Sequence, residues 1–181
     1  MKRALAWLAG LAMVAAAAAV GHLTLTEGQQ QSPFVVQAAL GDPAVGRTFA
    51  VTVEQVRAAD AVADAGGWHA AGNWVVVDLE AQARESETAS ILTLIELRVG
   101  EVVYGASERP VSLVDTPLSV GLPQSGSIAF ELPESLTSGA ATLRLGRTAE
   151  DRLDSVAELQ IDLAALERRP SIELRETAWA Q

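Results

Sequence analysis

Catalysis and metal binding need particular side chains brought together, and this sequence offers few of them. It has no cysteine, and its two histidines are His22 and His69. His22 belongs to the N-terminal part of the chain, so a serine–histidine–carboxylate triad could use only His69, and no sequence feature supports one. No HxxxH or HExxH spacing offers zinc two imidazoles on one helix face. The G-x-S-x-G elbow, the P-loop and the dinucleotide glycine fingerprint are all missing. These residues point to no catalytic group, no metal site and no cofactor.

Carboxylates are plentiful but scattered. Asp60 with Asp64, and Glu150 and Asp151 with Asp154, supply the oxygens a calcium ion prefers, yet the D-x-[DN]-x-[DN]-G order of a calcium loop is missing. Solvated loops are the simpler reading. Two carboxylates facing across a cleft could also hydrolyse a glycosidic bond, an arrangement that any acidic chain could assemble.

The aromatic residues are more suggestive. Trp68 and Trp74 bracket a glycine-rich stretch, Gly66-Gly67-Trp68-His69-Ala70-Ala71-Gly72-Asn73. A rigid loop carrying indoles can anchor a partner, which makes Trp68, His69 and Trp74 candidate contact residues. The competing expectation is packing, with Trp74 opening a strand and Trp68 covering one end of the fold. Leu122-Pro123-Gln124-Ser125-Gly126 resembles a sortase signal, but serine replaces threonine and no apolar tail follows, so a turn is expected. Asn73, the only asparagine, is followed by Trp74 and Val75 and makes no glycosylation site.

Charge and hydropathy say where such a surface would work. Thirteen basic against 23 acidic side chains give a net charge of −10, and without Lys2 and Arg3 the remainder, 11 against 23, carries −12. An acidic body repels nucleic acid and anionic lipid surfaces. Lys2 is the only lysine, and alanine is abundant; the pairing reflects GC-rich codons rather than function. From Ala4 to Gly21 no charged side chain occurs, a helical length of about 27 Å, close to the ~30 Å of a hydrocarbon core. Lys2 and Arg3 then stay inside and the rest lies outside. The expected organisation is a signal anchor or transmembrane helix over 1–21, a linker over 22–33 and an extracytoplasmic domain over 34–181. The protein is a single-pass plasma-membrane protein on this reading, or a secreted one if Ala17-Ala18-Ala19 is a cleavage site.

Beyond Pro33, period-2 alternation dominates. Val75, Val77, Leu79, Ala81 and Ala83 alternate with Val76, Asp78, Glu80 and Gln82, which predicts a half-buried strand with Asp78 and Glu80 turned outward. Phe49, Val51 and Val53 alternate likewise, as do Ile128, Phe130 and Leu132, then Ala157, Leu159, Ile161 and Leu163. Leu143 with Leu145 and Ile172 with Leu174 suggest further strands. The stretch from Ile91 to Val99, apolar on nearly both faces, reads as a central strand. Gly100-Glu101 suits a type II′ hairpin turn. Residues 57–65 have helical composition but are short and polar. Eight or nine strands with glycine- and proline-rich turns predict an all-β, antiparallel β-sandwich.

The stretch from Gly72 to Gly146 resembles the immunoglobulin-like extracellular domain of many small Gram-positive and actinobacterial surface proteins. The resembling residues are Gly72-Asn73-Trp74-Val75-Val76-Val77-Asp78-Leu79, the segment Gly100–Ser107 with Tyr104 and Ser107, and Gly126-Ser127-Ile128-Ala129-Phe130-Glu131-Leu132-Pro133. The resemblance implies an immunoglobulin-like sandwich without assigned activity and supplies no catalytic residues. Typical members carry a lipid on a cysteine, which this chain lacks. The expected function is a non-enzymatic, membrane-tethered module that binds a protein or a cell-envelope component. The alternative is an envelope-polymer hydrolase using a carboxylate pair.

Overall fold

The structure, a computed structural model, describes Trp7, Gly10, Met13, Val14 and residues 33–85, 90–148 and 154–180. The chain divides into two units, Met1–Ser32 and Pro33–Gln181. The anchor expected over 1–21 lies outside the described residues except for four helical positions. Among the described residues no helix is long and apolar enough to cross a membrane.

The second unit is all-β. Its strands are β1 (Phe34–Gln37), β2 (Pro43–Val45), β3 (Phe49–Ala63), β4 (His69–Ala83), β5 (Leu94–Val99), β6 (Val102–Gly105), β7 (Gln124–Leu132), β8 (Ala140–Gly146), β9 (Ser155–Asp162), β10 (Arg168–Arg169), β11 (Ile172–Glu173) and β12 (Ala178–Trp179). One sheet runs β1-β9-β8-β5-β6 and the other β10-β3-β4-β7-β12, with β2 and β11 also paired to β3. Side chains of both sheets form the main core: Val51, Val53, Val75, Val77, Leu79, Ile128 and Phe130 meet Leu97, Leu143, Leu145, Ala157 and Leu159. This is a β-sandwich.

The antiparallel expectation needs a correction, because β1 pairs β9 in parallel, and β10 and β11 pair β3 in parallel. All three parallel pairings join strands distant in sequence, which no hairpin rule anticipates. Residues 57–63, for all their alanines, continue β3 through to Ala63. Pairing with β4 along most of its length outweighs the mild helix preference of alanine. The expected turn at 122–126 is also shorter than foreseen: Gly121, at φ 71°, makes it, and Gln124-Ser125-Gly126 already belong to β7.

The Gly100-Glu101 hairpin is present, with Val99 opposite Val102. Gly100 has φ 58° while Glu101 stays at negative φ, as a type II′ turn requires. The strand before it, β5, is less apolar than its sequence suggested. Ile95 and Leu97 face the core, whereas Glu96 lies beside Arg144 of β8, itself beside Glu158 of β9. Arg144 reaches Glu158 at 2.9 Å and Glu96 at 3.2 Å, a cross-strand ion ladder on the outer face.

The other sheet contradicts the expected exposure of Asp78. Val75, Val77 and Leu79 do point into the main core, and Asp78 does point the opposite way. That outer face is covered, however, and Asp78 is only 3% exposed. Its carboxylate pairs with the Arg57 guanidinium and accepts the Ser127 hydroxyl at 2.6 Å. Ser127 Oγ in turn accepts the backbone N–H of Arg175 at 2.8 Å. Glu80 is partly exposed.

Candidate functional site

The cover begins where the β3–β4 hairpin changes register. Ala59 pairs with Trp74 but Ala61 pairs with Ala71, which leaves Asp60 unmatched on one strand and Gly72 and Asn73 on the other. Such an irregularity bends a strand pair. Gly72 has φ 153°, a conformation side-chain-bearing residues rarely adopt, and a Cβ there would crowd Trp74 Nε1 at 3.1 Å. The bend shows in the aromatics. Trp68 and Trp74, six residues apart along the chain, would lie about 20 Å apart on a straight strand, yet their ring centroids are 5.9 Å apart in an edge-to-face contact at 88°. The hairpin tip is thus a flap folded over the outer face of its own sheet.

Beneath the flap lies a second core of Ala59, Val62, Trp74, Val76, Ala129, Ile172 and Leu174, with Trp68 and Ala70 packed against it. Trp74 is fully buried there. Unlike the other two candidate contacts it is covered by protein, as the packing expectation had it, and it supports the flap from below through its edge-to-face contact with Trp68. Trp68 is half-buried and His69 exposed. The Arg109 guanidinium lies 5.6 Å from the Trp68 ring and 5.3 Å from the Trp74 ring, a cation–π arrangement, and pairs with Glu131. Val111, at 67% exposure, stands beside the flap at Gly66.

Asp64 fixes the flap tip. Its backbone N–H donates to the Trp68 carbonyl at 2.9 Å, and its carboxylate accepts the N–H groups of Trp68 at 2.9 Å and Val111 at 2.7 Å. The Val111 N–H, ahead of the other backbone donors, holds its carboxyl below the usual aspartate range. A depressed value stabilises the fold above the ordinary aspartate range, and that contribution is lost as pH falls through the folded-state value. Asp64→Asn should therefore melt below the wild type at neutral pH, with the gap closing in acid. Melting curves across pH check this; a gap that persists in strong acid would place the stabilisation elsewhere.

The other acidic candidates separate. Asp60 accepts from Arg168 at 2.7 Å, and Arg168 also donates to Asn73 Oδ1 at 2.8 Å. Asn73 Nδ2 donates to the carbonyls of Pro133 and Leu136 at 2.9 and 2.8 Å. This network borders an open cavity of about 410 Å³ lined by Asp60, Gly72, Asn73, Glu134, Thr137 and Arg168. Asp154 faces Arg47 at 3.5 Å, while Glu150 and Asp151 lie outside the described residues. Among the described residues no group of three or more histidine or carboxylate side chains is placed to hold a metal.

No protein-family model matches the chain, and no curated protein matches it. Among solved structures, the chain is similar to an uncharacterized beta-sandwich protein from Clostridium difficile 630. The TM-score is 0.45 and the identity 8%, over 71% of this chain and 96% of that one.

Of the three candidate contact residues, the flap thus brings together Trp68 and His69 at the surface and places Trp74 beneath them. Sequence reasoning missed Arg109 and Val111, and it read Asp64, which is buried, as a carboxylate of a solvated loop. Asp64 carried a usable signal, because an aspartate two residues before Gly66-Gly67 is a turn former whose side chain bonds the backbone ahead of it. Arg109 and Val111 come from a distant loop and carried none.

Proposed function

We propose that the domain is a non-enzymatic, extracytoplasmic binding or accessory module, tethered through its N-terminal segment, whose contact surface is the flap around Trp68 and His69. The observation that carries this reading is the bracing of the flap. Its backbone is fixed by a buried carboxylate, and its half-buried indole is held by Trp74 and Arg109 beside the exposed His69 and Val111. A pre-ordered loop loses little freedom on association, so a few anchoring side chains suffice for affinity. The partner is a protein or an envelope component. The hydrolase alternative rests on the cavity shared by Asp60 and Glu134. Both carboxylates are exposed, and the cavity they border is open to solvent.

Crosslinking in cells followed by affinity capture tests the reading. His69→Glu alters an exposed position, so its melting temperature should match the wild type while the crosslinked partner falls about tenfold, the effect of one interface anchor. An unchanged capture profile would remove the flap as the contact surface.

A further inference from the structure

The two sheets end differently. The larger sheet has β10, Arg168 and Arg169, at one edge and the two-residue β12 at the other. Very short or charged edges discourage further pairing. The smaller sheet ends at β6 in Val102-Val103-Tyr104-Gly105, which carries no charge, and Val102 and Val103 are 52% and 49% exposed. Among the described residues no strand pairs with the outer side of β6. We propose that a second copy of the chain covers this edge, antiparallel, with Tyr104 of each copy beside a two-fold axis, so that the two smaller sheets become one.

Hydrogen-bond geometry fixes the register. The hairpin turn directs the Val102 N–H to Val99, and the Ala106 N–H donates to the Ile95 carbonyl at 3.2 Å. Val102, Tyr104 and Ala106 thus turn their backbone groups to β5, and Val103 and Gly105 turn theirs outward. One two-fold pairing of β6 with itself uses every outward group: Val103 opposite Gly105 of the copy, and Gly105 opposite Val103. Centring on Val103 would put Gly105 opposite Glu101 in the turn. Centring on Gly105 would put Val103 opposite Ser107, whose N–H is already given to Ala129.

The side chains suit the same register. Gly105 has no positive φ, and a Cβ there would meet open space, so nothing in its own chain calls for glycine. A glycine inside a ladder often marks the close approach of another chain, and here it faces Val103 of the copy. Val102 lies opposite Ala106, and the two tyrosines meet across the axis on the face that packs on the main core. Copies of a chain carrying −10 repel one another over most of their surface. The paired stretch from Val102 to Ala106 holds no charge, and Glu101 and Glu108 lie outside it. The stretch is complementary to itself, which commits the occupant to a second copy. Because each copy uses its single β6, the assembly closes at two.

Sedimentation of the full chain in detergent solution tests the pairing. Val103→Pro removes the outward N–H of both copies and leaves the β5–β6 ladder whole, since proline fits an edge strand whose N–H faces solvent. The wild type should show a monomer–dimer equilibrium, and Val103→Pro should raise its dissociation constant about tenfold or more, while the dilute protein melts as before. Val35→Pro makes the same change at exposed β1, the opposite edge, and should dimerise as the wild type does. Because the chain has no cysteine, Tyr104→Cys supplies a lone thiol. Its Cα would stand about 4.5 Å from that of the copy, within disulfide reach. Val103→Cys, diagonal to itself at about 7–8 Å, would be out of reach. Mild oxidation should therefore link the Tyr104 variant into dimers far faster than the Val103 variant. Equal linking rates, or dimerisation that Val103→Pro leaves intact, would overturn the proposal. A chain that stays monomeric at every concentration would overturn it too, and would leave β6 to a strand of another protein.

Discussion

Asp78→Ala should destabilise the domain by about 3–5 kcal/mol, the cost of breaking a buried ion pair from one side. The Asp78 side chain is 4% exposed and its partner Arg57 12% exposed, so the substitution strands a guanidinium that water cannot fully reach. It also removes the acceptor of the Ser127 hydroxyl, whose oxygen accepts the backbone N–H of Arg175. Replacing both partners with apolar side chains, Asp78→Leu with Arg57→Met, should recover most of the loss, since the buried pair gains little over hydrophobic packing of similar volume. Glu80→Ala, two residues on along the same face but partly exposed, should cost about 0.5 kcal/mol or less. Urea unfolding of the four proteins gives the comparison. Equal, small losses at positions 78 and 80 would mean that the outer face is open to solvent.

That contrast also marks where the sequence stops being informative. The alternation of Val75, Val77 and Leu79 with Asp78 is a local property of an extended chain, and it correctly told which side chains share a face. Whether the second face is wet depends on residues nearly a hundred positions later, and Ile172 and Leu174 carry no mark of the strand they cover. The unmatched Asp60 and Gly72-Asn73 were equally silent, because a bulge is a mismatch between two strands and is absent from either strand alone. With the bend hidden, so was the contact between Trp68 and Trp74. The glycines did signal an unusual backbone, but Gly66-Gly67 make the turn and Gly72 the bend, and spacing does not distinguish these tasks. The site was thus legible as a stretch of chain and illegible as a surface, since its depth and its neighbours Arg109 and Val111 are set by tertiary packing.

Trp74 carries the second large effect. It is the largest fully buried side chain among the described residues, and the flap, the outer sheet face and the segment bearing Ile172 and Leu174 all meet in its core. Trp74→Ala should cost about 3–5 kcal/mol, because the lost transfer energy adds to a cavity that three separate elements would have to close together. Trp74→Phe should cost under about 1.5 kcal/mol. It keeps most of the ring against Trp68 and Arg109, and it removes an indole N–H that has no hydrogen-bond partner. The pair of variants separates support from contact. If Trp74 acts by holding the flap, the phenylalanine variant captures partner as the wild type does, while the alanine variant loses stability and capture together. If Trp74→Phe abolished capture at unchanged stability, the indole would have to reach the partner itself, and the fully buried placement would not describe the state that binds.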